Sequence, residues 1–362
     1  PDGERQGQAA RAGAVNEELA QRAPVEEDVT TVFDKNVLDL DLEATAARLS
    51  SRLEETVLRT LRRRGLVVAV SGGIDSACVA ALAVRALGPK RVFGLLLPER
   101  DSASESTRYG QKLCEKLGIA HERVDIAPIL EAAGCYRARD EAVKSVYPAF
   151  QPSMPWKLVM HGDRLGTESL NVFYVVVRGA SGEEERVRLT PKAYLQIVAA
   201  TNFKQRTRKM LEYYHADRLV FAASGTPNRL EYDQGFFVKL GDGAADVKPI
   251  ASLYKTQTYA LARHLGVIEE ILGRAPTTDT YSLAQSQEDF YFSVPYPKLD
   301  LILWAKNHGV APDAVAKELA VTTEQVERVY RDIDRKRATT AYLHAPPLLL
   351  EPVEELEPFA LG

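Results

Sequence analysis

The chain has 362 residues, of which 45% are hydrophobic and 27% charged, with a net charge of −4. This is the balance of an ordinary globular protein, large enough for about two domains of about 150 residues or one large one. With 46 Lys and Arg against 50 Asp and Glu, it lacks the basic excess of a nucleic-acid coat, and no apolar run approaches the about 20 residues of a membrane-spanning helix.

Residues 1–38 are polar and weakly periodic and read as a mobile tail without an apolar signal core. From Asp41 a helix is expected, because Leu42, Ala46, Leu49, Leu53, Val57 and Leu61 recur on one face, with Gly65 as its stop. The short apolar run Leu66 to Val70 fits a strand covered on both sides. Then come a helix over Ala77 to Leu87, a strand over Val92 to Leu97, a helix over Ser104 to Leu117 ended by Gly118, and a strand over His121 to Asp125. This alternation predicts an α/β fold with a doubly wound, mostly parallel sheet, right-handed crossovers and helices on both faces.

The rhythm breaks between about 134 and 200. There LNVFYVVVRG and Glu185 to Leu189 are β-rich around Ser181-Gly182-Glu183, which predicts an inserted antiparallel hairpin. The α/β pattern returns at Leu219 to Ala223. Helices are expected at 253–265, 297–308 and 323–337, and an extended tail at 346–362. Residues 39–345 are thus expected to form one domain carrying the insertion.

Cys78, Cys114 and Cys135 are scattered and odd in number. They exclude a disulfide framework and a four-thiolate zinc site, and read as packed, reduced thiols of a cytoplasmic protein.

Chemistry concentrates in Ser71-Gly72-Gly73-Ile74-Asp75-Ser76, the turn between the first strand and its helix. Glycine lets phosphate approach the backbone, and the first-turn N–H groups point at an anion. Ser71 and Ser76 add hydroxyl donors. Asp75 is out of place in a pure phosphate nest but fits one that also binds Mg²⁺. A plain strand-to-helix turn with a capping Ser or Asp is the simpler alternative.

This SGGIDS run resembles the signature of the PP-loop ATP pyrophosphatases, and the runs downstream resemble the NAD synthetase branch of that superfamily. Those runs are Asn202 to Arg208, Gly225-Thr226, Glu231, Gly235 to Asp246, Pro249-Ile250, Leu253 to Gln257 and Pro276 to Asp279, in the family's order. The resemblance implies a Rossmann-like, adenine nucleotide alpha-hydrolase-like layer. It implies an ammonia-dependent ligase that adenylates the nicotinate carboxylate of deamido-NAD with ATP, releases pyrophosphate, and lets ammonia displace AMP. It assigns catalysis to Asp75, Ser76 and Lys255, and ATP binding to Ser71, Gly72, Gly73, Ile74, Asp75, Ser76, Thr226, Lys255 and Thr277. It assigns Mg²⁺ to Asp75 and Glu231, and the dinucleotide acceptor to Arg206, Lys239, Asp246, Arg335 and Lys336. Residues 280–292 correspond to a loop that closes over the site. A homodimer is implied, with free ammonia or a separate glutaminase as nitrogen source and with no nucleic-acid or membrane partner.

Taken singly, each residue has a simpler reading. Lys255 and Lys239 would be solvated surface lysines, Glu231 a surface neighbour of Arg229, Arg206 an ion-pair partner, and Phe236 and Phe237 core. The chain also departs from the family. Ser286-Gln287-Glu288 replaces a Ser-Asp-Glu run, Arg335-Lys336-Arg337 replaces a His-Lys pair, Pro227 follows Gly225-Thr226, and the insertion has no counterpart in compact bacterial members. Two alternatives stay open on these departures. One is a related AMP-forming amide ligase acting on a different carboxylate, and the other is a non-catalytic nucleotide-binding homologue.

Overall fold

A computed structural model describes residues 33–161, 172–179, 182–274, 281–283 and 294–351. The compact unit that carries everything below begins at Lys35.

Helix α1 (Leu42–Glu55) is capped by the Asp41 carboxylate, which accepts from Ala44 N. It runs into one π-helical turn, Thr56–Thr60. Gly65 is not the stop that the sequence suggested. The helix ends at Leu61, and Arg62 takes the left-handed conformation at φ 51. Gly65 is glycine for space, because a Cβ there would lie 2.3 Å from the Arg91 carbonyl oxygen and 2.6 Å from the Phe221 ring.

Next come strand β1 (Leu66–Ala69), helix α2 (Ile74–Leu87), strand β2 (Val92–Leu96), helix α3 (Ser104–Leu117) and strand β3 (Ala120–Arg123). Helix α3 matches its expected bounds and ends at Gly118 in the left-handed conformation. Two short helices follow, α4 (Ala127–Ala132) and α5 (Cys135–Lys144). After the inserted strands, the long helix α6 (Pro191–Leu219) leads into the two-residue strand β7 (Ala222–Ala223). The remaining helices are α7 (Arg229–Gln234), α8 (Lys255–His264), α9 (Glu269–Leu272), α10 (Tyr296–Asn307), α11 (Pro312–Leu319) and α12 (Thr323–His344).

The main sheet is parallel with strand order β3-β2-β1-β7. Both of its faces are covered, as expected for a doubly wound layer. On one face Leu66, Val68 and Val70 pack with α1, α2 and α8. On the other, Val67, Leu95 and Ala223 pack with α4, α5 and α6. Helix α2 is buried nearly all round, from Ala77 through Ala83, and Cys78 lies within it at 0% exposure. All three cysteines are free and buried. Burial pushes the Cys78 thiol well above its ordinary value.

The chain adds β2 and β3 on one side of β1 and returns to place β7 on the other. The loops leaving β1 and β7 therefore diverge and open a crevice at the carboxyl ends of the strands, where α/β sheets bind ligands.

The insertion is narrower and richer than the sequence suggested. Its strands are β4 (Trp156–His161), β5 (Val172–Arg178) and β6 (Glu184–Arg188), and they form a separate antiparallel sheet in that order. The hairpin of β5 and β6 matches expectation; β4 was not anticipated. Helix α5 and the first turns of α6 lie inside the 134–200 stretch, yet both helices pack on the main sheet. The inserted sheet packs Trp156, Leu158, Val175 and Val177 against Ala142 and Val143 of α5 and Ala193 and Ile197 of α6. Each such fully buried aliphatic side chain contributes about 1.5–3 kcal/mol.

Helix α12 runs seven residues beyond the expected end at 337, to His344. Residues 346–351 have no helix or strand and are exposed. Among the described residues no helix is long and apolar enough to cross a membrane.

Candidate active site

A cavity of about 730 Å³ occupies the crevice, and Ser71, Gly72, Gly73, Ile74, Asp75 and Ser76 form part of its wall. The loop is pre-shaped by its own bonds. The Ser71 and Ser76 hydroxyls lie 3.0 Å apart, Ser76 Oγ donates to the Gly73 carbonyl at 3.0 Å, and Gly73 N donates to Ser71 Oγ at 3.3 Å. Gly72 is required on two counts. Its φ is +79, and a Cβ would sit 2.1 Å from the Ser106 carbonyl oxygen. Gly73 caps α2 with no side-chain bond, which leaves the first-turn amides to an anion.

Two other elements converge on Asp75. Lys255, at the first position of α8, donates from Nζ to Asp75 Oδ2 at 2.5 Å. Asn228 donates from Nδ2 to Asp75 Oδ1 at 3.0 Å. Asn228 is also the cap of α7, accepting from Leu230 N and Glu231 N, while its own N–H donates to Glu231 Oε2 at 3.2 Å. Lys255 is 1% exposed and Glu231 9%, so neither is the solvated surface residue that it would be in isolation.

The electrostatics follow from this burial. Desolvation, and then the charge of Asp75, push the Glu231 carboxyl up to about 8. Burial pulls the Lys255 ammonium down, but Asp75 and Glu231 outweigh it and the net shift is upward. Beneath Lys255, the carboxylate of Asp300 (0% exposed) accepts from Lys255 N and Thr256 N at the start of α8. Burial pushes Asp300 up to about 6.

The other expected residues divide. Thr226, Arg206, Lys239, Arg335 and Lys336 all line the cavity. Arg206 Nε donates to the Lys239 carbonyl at 3.3 Å. Lys239 Nζ donates to the carbonyls of Tyr342 and Ala345, at 2.6 and 3.0 Å. Lys336 pairs with Asp332 at 3.0 Å. Phe236 and Phe237 are half-buried in the wall rather than in the core. Asp246 is not among the lining residues, and its carboxylate accepts from Ala223 N and from Tyr213 OH. Thr277, the Ser286-Gln287-Glu288 run and all of residues 280–292 except 281–283 lie outside the described residues.

Sequence reasoning missed two groups. Asn228 stands three residues before Glu231, the spacing of a capping box, and could have been found from that alone. The second group is a buried ionic cluster. Lys204 Nζ lies 2.8 Å from both Glu99 Oε1 and Asp101 Oδ2, and Arg139 bonds Asp101 and Asp140 at 2.6 Å each. Its members come from three separate stretches of chain, and no local pattern joins them.

A model of the NAD synthase family matches residues 46–149 and 180–339. The chain belongs to the NAD synthase family. The family match spans the loop after β1, Asn228, Glu231, Lys255 and Asp300, and leaves out 150–179, which holds β4 and β5. The NH(3)-dependent NAD(+) synthetase of Mesorhizobium japonicum is 55% identical over 313 residues, which is 86% of this chain and 98% of that protein. The enzyme of the same name from Rhizobium meliloti is 53% identical over 326 residues, 90% of this chain and 97% of its own length. Among solved structures, the NH3-dependent NAD synthetase from Campylobacter jejuni superposes with a TM-score of 0.56 at 22% identity, over 86% of this chain and 100% of that one. At that identity the likeness speaks for the fold alone.

Proposed function

We propose that this chain is an ammonia-dependent NAD synthetase. ATP adenylates the nicotinate carboxylate of deamido-NAD, pyrophosphate leaves, and ammonia displaces AMP to give the amide of NAD. The observation that carries this reading is the convergence of Asp75, Lys255, Asn228 and Glu231 beside the SGGIDS loop at the switch point of the sheet. The close relatives of the same name support it.

The residues have distinct tasks. The loop amides, with Ser71 and Ser76, hold the phosphates and stabilise charge as pyrophosphate departs. Lys255 sits at the same point with its ammonium already oriented by Asp75. Thr226 and Thr277 are proposed contacts to ATP. Arg206, Lys239, Asp246, Arg335 and Lys336 are proposed for the acceptor, with Asp246 acting through Tyr213 and β7 rather than by contact.

Asp75 and Glu231 are the groups that would hold Mg²⁺. The fit is chemical. Two hard oxygen donors share one buried locus, and a single lysine ammonium stands against them. Bound there, Mg²⁺ would neutralise phosphate oxygens.

A homodimer fits the long helix α6, which exposes Leu195, Phe203, Met210 and Tyr214. Free, buried thiols fit a cytoplasmic enzyme. The decisive assay follows pyrophosphate and NAD together, with ATP, Mg²⁺, ammonium and deamido-NAD present. Equal yields of both are expected, and Asp75→Asn is expected to lose both while keeping its fold. Pyrophosphate release that ignores deamido-NAD would overturn the acceptor and favour another carboxylate.

A further inference from the structure

The inserted sheet does not merely decorate the surface. Phe173 of β5, in the stretch that the family match leaves out, lines the same cavity as the SGGIDS loop. It stacks on Tyr194 of α6 with ring centroids 4.0 Å apart and planes at 16°. Tyr281 joins them in the wall and is fixed from behind by Trp156 of β4, edge-on at 5.0 Å. The backbone of Trp156 closes that contact, its N–H donating to Ser282 Oγ at 2.9 Å and its carbonyl accepting from Leu283 N at 3.1 Å.

Helix α6 runs from this wall to the carboxyl end of β2. Arg208 donates to the Leu97 carbonyl just past the end of β2. From Arg208 to Tyr194 the helix rises about 21 Å at about 1.5 Å per residue. A triphosphate anchored at the loop after β1 therefore leaves this aromatic end to something longer. The dinucleotide has a second base to bring there when its nicotinate lies at the reacting phosphate, and ATP has none. Aromatic faces stack on nucleobases without needing a specific hydrogen-bond pattern.

We infer that Phe173, Tyr194 and Tyr281 form a stacking wall for the distal base of the dinucleotide acceptor, built and held by the inserted sheet, an inference that rests on the proposed NAD synthetase reading. Trp156 is a positioning residue that acts through Tyr281.

Steady-state kinetics on the full chain test this. Phe173→Ala is expected to raise the deamido-NAD KM about tenfold, the loss of one stacking contact, with the ATP KM and kcat within about twofold of wild type. Phe173→Tyr keeps the ring and is expected to behave as wild type. Phe173→Leu keeps the volume without the ring, so it makes the same test if Phe173→Ala does not fold. An unshifted deamido-NAD KM, or an equal rise for ATP, would overturn the inference while leaving the proposed reaction standing. Failure of the wild-type enzyme to form NAD would overturn the reaction and this wall with it.

Discussion

Lys255 Nζ and Asp75 Oδ2 meet at 2.5 Å, tying the start of α8 to the start of α2 across 180 positions of sequence. The contact sits on the cavity wall, so it serves both the fold and the proposed phosphate site. Replacing Lys255 with Ala leaves Asp75 and Glu231 facing each other without their ammonium. Stability is expected to fall by about 3 kcal/mol, the usual cost of removing one partner from a buried pair, measured by denaturant unfolding. Pyrophosphate release is expected to fall below detection. Full activity in the folded variant would remove Lys255 from the chemistry.

Asn228 separates two contributions. Asn228→Ala loses the cap of α7 and the bond to Asp75 together, and is expected to cost about 1–2 kcal/mol. Asn228→Asp restores a capping oxygen but sets a third carboxylate against Asp75 and Glu231. Its stability is expected to recover part of the Ala loss while its turnover stays low. Parallel recovery of both in a melting and activity series would show that Asn228 acts only as a cap.

Gly72→Ala is expected to displace the phosphate loop, because the new Cβ would meet the Ser106 carbonyl in a conformation that L residues rarely adopt. Binding of ATP, read by calorimetry, is expected to weaken at least tenfold, about 1.4 kcal/mol. Unchanged affinity would mean that the loop tolerates the shift and that its shape does not set phosphate binding.

The Asp300 carboxyl is raised by burial from 3.8 to about 6. Between those values the folded state holds a proton that the unfolded state has lost. The stabilisation is thus complete below about pH 4 and is lost as pH rises through about 6. Asp300→Asn is expected to flatten that part of the stability curve, measured by urea unfolding across the window. An identical slope in both proteins would assign the titration to another group.

The sequence disclosed what is local. Apolar runs with glycine stops located β1, β2 and α3, and the SGGIDS run located the turn between β1 and α2. It misjudged Gly65, whose reason is a neighbour, Phe221, that no local pattern reveals. It also missed β4, because strand pairing to β5 is settled at a distance. Lys255 and Glu231 were legible as members of a motif, but their burial was not. The cluster of Lys204, Glu99, Asp101 and Arg139 became visible only once folding had brought three stretches together. Burial there works to raise the Asp101 carboxyl, but Lys204 and Arg139 outweigh it and hold it below its ordinary value.

The ammonium of Lys239 spends two of its three donors on the carbonyls of Tyr342 and Ala345, at the C-terminal end of α12. In the proposed acceptor role of Lys239, helix end and ligand would draw on one cation. An anion that takes the whole ammonium unties the last turn of α12, whereas one that accepts only the third donor leaves that turn wound. Under that role, amide exchange at the C-terminal turn would gauge occupancy of the cavity beside Lys239, and ligand affinity there would carry a component of helix unwinding.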